Sequence, residues 1–346
     1  MINFIRRTAE NLFSGYFAIV MATGALSIAS HLLLMEPISK GLLYFNVVAY
    51  ILLWFFTIFR LINYFPRMIA DLTSHQKGPG FFTLVAGTCM FGSQLIVVAN
   101  KPNIAFILWI VGILLWSIVM YTFFTAVTVG KNKPTMAEGI NGAWLIAAVA
   151  TQSISVLGTL LSAHISNGRD IILFYTLCMF LLGCMLYLNI ITLIFYRFTF
   201  LKFRYAALTP PYWINMGAVA IATLAGSNLM LHAKNWPFLV DLLPFLKGFT
   251  LFFWITGTWW IPLLFILMVW KHFYHHAPLK YDPNFWGMAF PLAMYTTCTF
   301  QLSKALSLPF LMLIPKIMVF IAMGAWVFIF LGLVHHLYLD IKNNGE

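Results

Sequence analysis

Charge is the first thing this chain lacks. Only 8% of its 346 residues are Asp, Glu, Lys or Arg, where soluble domains carry about 25%. The acidic side is the poorer one, 9 Asp and Glu against 20 Lys and Arg, and no Asp or Glu lies deep in any long apolar run. Intramembrane carboxylates are costly and mark proton relays and cation sites. Their absence argues against cation antiport, proton pumping and aspartate-based hydrolysis. Cysteine is scarce as well. Cys89, Cys178, Cys184 and Cys298 each lie within an apolar run, where lone thiols pack as small hydrophobes rather than form disulfides or metal sites. No polar stretch is long enough for a separate soluble domain, so residues 1–346 read as a single transmembrane domain.

What remains is apolar. Hydrophobic residues make up 62% of the chain and the mean hydropathy is +0.90, a balance that suits a lipid bilayer. The formal charge of +11 gathers on no one face or tail, so it does not imply a nucleic-acid partner. The opening MINFIRRTAENLF has the basic residues of a signal peptide. The apolar segment after it is too long, and no small-residue cleavage site closes it. It is expected to stay as a first span.

A transmembrane helix needs roughly 20 apolar residues. Runs bounded by charges, Pro or Asn-Gly give ten expected spans, at about 13–34, 41–63, 81–100, 103–127, 141–163, 171–195, 211–233, 244–270, 284–306 and 313–338. Ten spans put both termini on one side. That side holds thirteen Lys and Arg (among them Arg6, Arg7, Arg60, Lys77, Arg197 and Lys271) and the other holds seven, together the 20 of the chain. The positive-inside rule places the termini in the cytoplasm, in an inner or plasma membrane.

Odd-numbered spans are rich in small residues, as in MATGALSIAS, VAGTCMFGS, AAVATQSISVLGT and GAVAIATLAGS. Even-numbered spans are bulky, as in YILLWFFTIF and FILWIVGILLW. Small residues let helices approach closely, and large ones suit a lipid-facing ring. The alternation reads as five helical hairpins, each with an inner and an outer helix, repeated about a central axis. Lys304 and His31 sit toward span ends, where snorkelling explains them. An anion pore needs no carboxylate; hydroxyls, backbone amides and helix dipoles suffice.

One motif points elsewhere. HFYHH, from His272 through His275 to His276, has the spacing of a histidine box in membrane di-iron enzymes, and His335 and His336 fall on the same expected side. Imidazole suits iron and zinc. Such enzymes need about eight clustered histidines, whereas His31, His75, His164 and His232 are scattered. Capping of helix-end carbonyls accounts for the two clusters. No cofactor and no enzymatic activity are expected.

FSGYFAIVMATGALSIA in the first span and FWGMAFPLAMYTT in the ninth resemble the family of the bacterial tellurite-resistance protein TehA, the plant slow-type anion channels and the fungal malate and sulfite exporters. The likeness runs from Phe13 to about residue 338. It implies five hairpins in quasi-fivefold arrangement, odd helices lining a central pore, and a homotrimer with one pore per subunit. It also implies a phenylalanine plug in the ninth span, which in the A-F-P context is Phe290. Pro291 denies its N–H to the carbonyl of Gly287 and crowds it, which could turn Phe290 toward the axis, with small Ala293 and Thr297 beside it. Mid-span small residues supply the rest of the candidate lining: Thr23, Gly24, Gly87, Thr88, Ser153, Thr223 and Thr297. Small inorganic or organic anions are the implied cargo. A malate-like dicarboxylate or sulfite carrier is the alternative on the same fold. No Arg lies deep in an odd span to clamp a dicarboxylate. Tellurite resistance is not readable in the residues, and the kinase control of the plant channels is not expected here.

Overall fold

The computed structural model describes residues 2–343, and among them every regular element is helical. Ten helices of 15 residues or more form the body: α1 (Ala18–Leu32), α2 (Glu36–Asn63), α3 (Phe82–Val97), α4 (Pro102–Val129), α5 (Ile146–Ser162), α6 (Arg169–Phe200), α7 (Ile214–His232), α8 (Leu243–Val269), α9 (Trp286–Ala305) and α10 (Leu313–Asn343). Eight of them are long and apolar enough to cross a membrane; α1 and α9 fall outside that set. Helix α1 has 15 residues because residues 14–17 are spent in turns rather than helix. Helix α9 has the length, but Thr296, Thr297, Thr299, Gln301, Ser303 and Lys304 dilute its second half. The outer helices α2 and α6 run several residues beyond the expected 41–63 and 171–195.

The odd-numbered helices pack on one another in a closed cycle: α1 on α3, α3 on α5, α5 on α7, α7 on α9 and α9 on α1. Each even-numbered helix lies against the odd one before it. The apolar windows of α3, α5 and α7 are 89–94% buried and those of the even helices 17–44%. In α1, every residue from Ala18 to Ser30 is buried. The even helices turn Tyr44, Ile107, Leu114, Phe265 and Phe320 outward. Cys178 belongs with these: it is exposed on α6, while Cys89, Cys184 and Cys298 are buried free thiols.

The hairpins are tied to one another by a repeated device. An aromatic donor on each outer helix reaches the inner helix of the next hairpin. Tyr50 on α2 donates to Thr88 Oγ1 on α3 at 3.1 Å, and Trp116 on α4 to Thr151 Oγ1 on α5 at 2.8 Å. Trp254 on α8 donates to Thr299 Oγ1 on α9 at 3.0 Å, and Trp326 on α10 to Thr23 Oγ1 on α1 at 3.0 Å. The α6–α7 step uses Tyr187 and the Asn215 carbonyl at 3.4 Å. Hydrogen bonds between membrane helices contribute about 0.6–2 kcal/mol each. Four of the five acceptors are threonines, whose hydroxyls face the neighbouring hairpin.

Candidate functional site

Each inner helix begins in a tight turn followed by aromatics. Residues 14–17 form turns, and 3-10 turns occupy Gly78–Phe81, Gly142–Leu145, Pro210–Trp213 and Pro283–Phe285. The sequences repeat as Gly15-Tyr16-Phe17, Gly80-Phe81-Phe82, Gly142-Ala143-Trp144, Pro211-Tyr212-Trp213 and Asn284-Phe285-Trp286. Neighbouring turns touch, 78–81 with 142–145, that with 210–213, and that with 283–285. Glycine makes the contact possible, since a Cβ on Gly142 would overlap the Pro211 carbonyl and one on Gly80 the Ser14 hydroxyl.

Cations at the ends of outer helices hold this rim. Arg60 near the end of α2 donates to the Leu12 carbonyl at 3.0 Å and to Asp71 at 2.6 Å. Asp71 also accepts from Lys77 at 2.8 Å. Burial pushes the Asp71 carboxyl up, but its hydrogen bonds to Lys77 and Arg60 and their charges outweigh that and hold it below the usual range. Arg197 near the end of α6 donates to the Ile140 carbonyl and, at 2.6 Å, to the Tyr212 hydroxyl. Lys271, just past α8, donates to the Leu208 carbonyl at 2.7 Å. Arg197 and Lys271 form no ion pair among the described residues. Three outer helices thus end in cations bonded to the backbone that leads into an inner helix.

The rim encloses a mouth cavity of about 80 Å³. All five inner-helix starts contribute: Ser14, Gly80, Ala143, Pro211 and Asn284. Phe290, 1% exposed, also lines it. A second cavity of about 20 Å³ lies among the other halves of the same helices, lined by Ala25, Ser93, Asn228, Met294, Thr297 and Gln301 among others. On α9 the stripe Gly287, Phe290, Met294, Thr297, Gln301 follows steps of three and four, so one helix face borders both cavities. Phe290 is the last α9 residue of the mouth and Met294, 0% exposed, the first of the far cavity. No Asp or Glu lines either.

The candidate lining residues divide. Thr297 borders the far cavity, and its hydroxyl donates to Ala25 and Ala293 carbonyls. Pro291 packs on α7, where a Cβ on Gly217 would come 2.7 Å from its Cγ. The others border neither cavity. Thr23 and Thr88 accept from Trp326 and Tyr50 of adjoining hairpins. Gly24 faces Met90, whose Cγ would lie 2.9 Å from a Cβ there, and Gly87 faces Phe17. Thr223 and Ser153 donate to carbonyls of their own helices, Val219 and Ala150. Sequence polarity pointed at these residues, while the lining mixes Ala, Val, Ile and Met with Gly, Pro and other polar side chains such as Ser14, Thr83, Ser93 and Asn228. The signal that finds it is phase: Ala18, Met21, Ala25 and Ile28 on α1 keep the same three-four step as α9.

The histidine clusters are engaged in local contacts. His272 Nδ1 lies 2.9 Å from the Ala277 carbonyl, His275 stacks on Tyr205 at 4.6 Å, and His336 lies 5.5 Å from the Tyr281 ring. Among the described residues no three metal-ligating side chains come together. His31 pairs with Glu36 at 2.8 Å, and the Lys304 ammonium sits 4.5 Å from the Phe300 ring centre.

Against this geometry, a family model described as voltage-dependent anion channel matches residues 11–334. The chain belongs to that family. Similar proteins include an uncharacterized membrane protein of Mycobacterium tuberculosis, 35% identical over 161 residues that cover 46% of this chain and 81% of the relative. Two uncharacterized transporters of Methanocaldococcus jannaschii are 26% and 24% identical over 306 and 302 residues, each covering 85% of this chain and 86% and 84% of the relative. Membership in the voltage-dependent anion channel family makes the chain a multi-pass membrane channel or transporter for anions, and not an enzyme.

Proposed function

We propose that this chain is a gated anion pore. All ten helices cross the membrane as five hairpins in quasi-fivefold array, the odd helices surround the pore, and Phe290 closes it. The termini lie in the cytoplasm, and the assembly is a homotrimer with one pore per subunit. The observation that carries the reading is that all five inner helices start at the rim of a single cavity with Phe290 in its lining. Five helix N-termini direct their positive dipole ends toward that cavity. Arg197 and Lys271, which form no ion pair among the described residues, add positive charge around it. Asp71 beside it is paired with Arg60 and Lys77, and no carboxylate is among its lining residues.

The gate works by side-chain movement. Pro291, seated against Gly217, fixes α9 to α7 beside the plug, and Pro291 supplies no N–H to the Gly287 carbonyl. Phe290 then opens by leaving the axis, with Met294 next in line. Small inorganic anions such as chloride are the cargo. Anion current in planar bilayers under a chloride gradient tests this. Phe290→Ala is expected to conduct far more than the native protein, with a reversal potential that follows chloride. The transporter names of the archaeal relatives favour a second reading, a dicarboxylate or sulfite carrier on the same fold. Absence of current from both proteins, with labelled malate still exchanged in liposomes, would establish that reading instead.

A further inference from the structure

A groove of about 750 Å³ lies between α10 and the segment leading into α9, apart from both cavities of the pore axis. Its size is within the range of about 300–1,000 Å³ that small-molecule sites occupy. One wall is a helical stripe on α10, Phe328, Leu331, His335 and Leu339, spaced by three and four. Phe328 and Leu331 are 61% and 60% exposed, so this wall stands open. Leu279, Lys280 and Tyr281 form the other. Gly332 lets the two walls meet, because a Cβ there would lie 3.0 Å from Tyr281 Cδ2.

The groove joins apolar and basic side chains. Phe328, Ile329 and Leu331 line it along the apolar stretch of α10, His335 follows one turn on, and Leu339 lies beyond it. Lys280 joins the lining from the opposite wall. Among the described residues no carboxylate pairs with Lys280 or His335. This is the end of the bundle where the inner helices start and where the chain's Lys and Arg are in excess. Basic pockets beside membrane helices on the negatively charged leaflet are where lipid headgroups bind.

We propose that this groove binds an anionic phospholipid of that leaflet. An acyl chain lies along Phe328 and Leu331, and the headgroup phosphate meets Lys280 and His335. An apolar trough that also presents Lys280 and His335, neither of them ion-paired among the described residues, complements a ligand with a hydrocarbon tail and a phosphate head. The Tyr281 ring forms its floor, and burial raises the pKa of that phenol, which therefore stays neutral beside the phosphate.

The test is native mass spectrometry of the full chain released from nanodiscs of phosphatidylglycerol, phosphatidylcholine or an equal mixture. The expected result is a retained phosphatidylglycerol on each chain, preferred over phosphatidylcholine. Lys280→Gln is expected to lower that preference about fivefold, the effect of one cation near the headgroups, and Lys280→Arg to keep it. Gly332→Leu, which fills the groove, is expected to remove the bound lipid while circular dichroism confirms folded protein. Equal retention of both lipids, or a preference untouched by Lys280→Gln and Gly332→Leu, overturns the proposal. Displacement of the lipid by glycerol phosphate at equal potency overturns it in favour of a soluble-anion site. Efficient intersubunit cross-linking through Leu331→Cys overturns it in favour of a second copy of this chain as the occupant. None of these readouts depends on whether Phe290 gates a current.

Discussion

The two halves of the inner helices are built differently. At their starts neighbouring turns touch, glycines remove the side chains that would hold them apart, and cations from outer helices bond the chain leading in. At their other ends the lining is side chain, with Ser93, Asn228, Thr297 and Gln301 among Met, Val and Leu, and the cavity is a quarter the size, about 20 against 80 Å³. The dipoles differ in sign as well. The starts favour anions, while the carbonyl ends oppose them, an effect that Lys304 offsets in the last turn of α9. The same five helices therefore present two unlike ends, with Phe290 the last α9 residue of the mouth.

The largest expected effect comes from abolishing that division. Burying a phenyl ring stabilises by about 1.5–3 kcal/mol, and each 1.36 kcal/mol removed from a barrier is about tenfold in rate. Phe290→Ala should then raise anion current by roughly 10- to 100-fold, while Met294→Ala, on the far side of the plug, should change it little. Comparable increases from both variants would mean that the closure spans two turns of α9 rather than one residue.

Next in size is the ion network of the mouth. Asp71→Asn leaves Arg60, which is 4% exposed, without its carboxylate. The expected loss is about 2 kcal/mol, below the 3–5 of a fully buried pair because Asp71 is one-fifth exposed. Because the folded carboxyl is depressed, its contribution is complete above about pH 4, the ordinary value. It fades as pH falls from there through the depressed value. Thermal midpoints of the two proteins should differ at pH 7 and draw together as pH falls below about 4; a constant gap would exclude this carboxylate as the cause.

A Cβ separates backbone walls from side-chain walls. Gly142→Ala pushes on the Pro211 backbone, which cannot swing aside, and should cost about 1–3 kcal/mol. Gly324→Ala on α10 meets nothing within 4 Å and should be neutral or stabilise by about 0.5–1 kcal/mol. Chemical denaturation of the pair measures the difference, and equal effects would mean the rim yields.

The smallest expected change touches both halves alike. Trp326→Phe removes one hairpin-to-hairpin hydrogen bond and should cost about 1 kcal/mol. Gating by Phe290 should be unaffected, and a shifted open probability would show that Thr23 senses the plug.

The layered plan was legible because lipid and neighbouring helices ask for opposite residues: bulky side chains outside, Gly, Ala, Ser and Thr inside. The pore face was not legible from polarity. A hydroxyl in a membrane helix must find a partner, so Thr23, Thr88 and Thr223 are occupied by a tryptophan, a tyrosine and a backbone carbonyl. Small size has two uses, as Gly24 against Met90 illustrates. The rim was hidden because the shared feature of its five turns is a Gly, Pro or Asn ahead of aromatics, a pattern too loose to stand out until the turns are seen touching. The last-turn cations Arg60 and Arg197 read as topology markers alone, since the carbonyls they bond lie 48 and 57 residues away.

A rim of abutting main chain has a consequence for how throughput can be set. Side-chain replacement cannot open a collar where main chain abuts main chain, as Gly142 does Pro211, so that part of the mouth acts as a fixed washer. In the gated pore proposed above, the α9 stripe is the needle of a valve, and exchanging one side chain there is expected to reset the flow while the seat stays put. Tuning of flux is then expected at a few positions on α9 rather than where the turns abut.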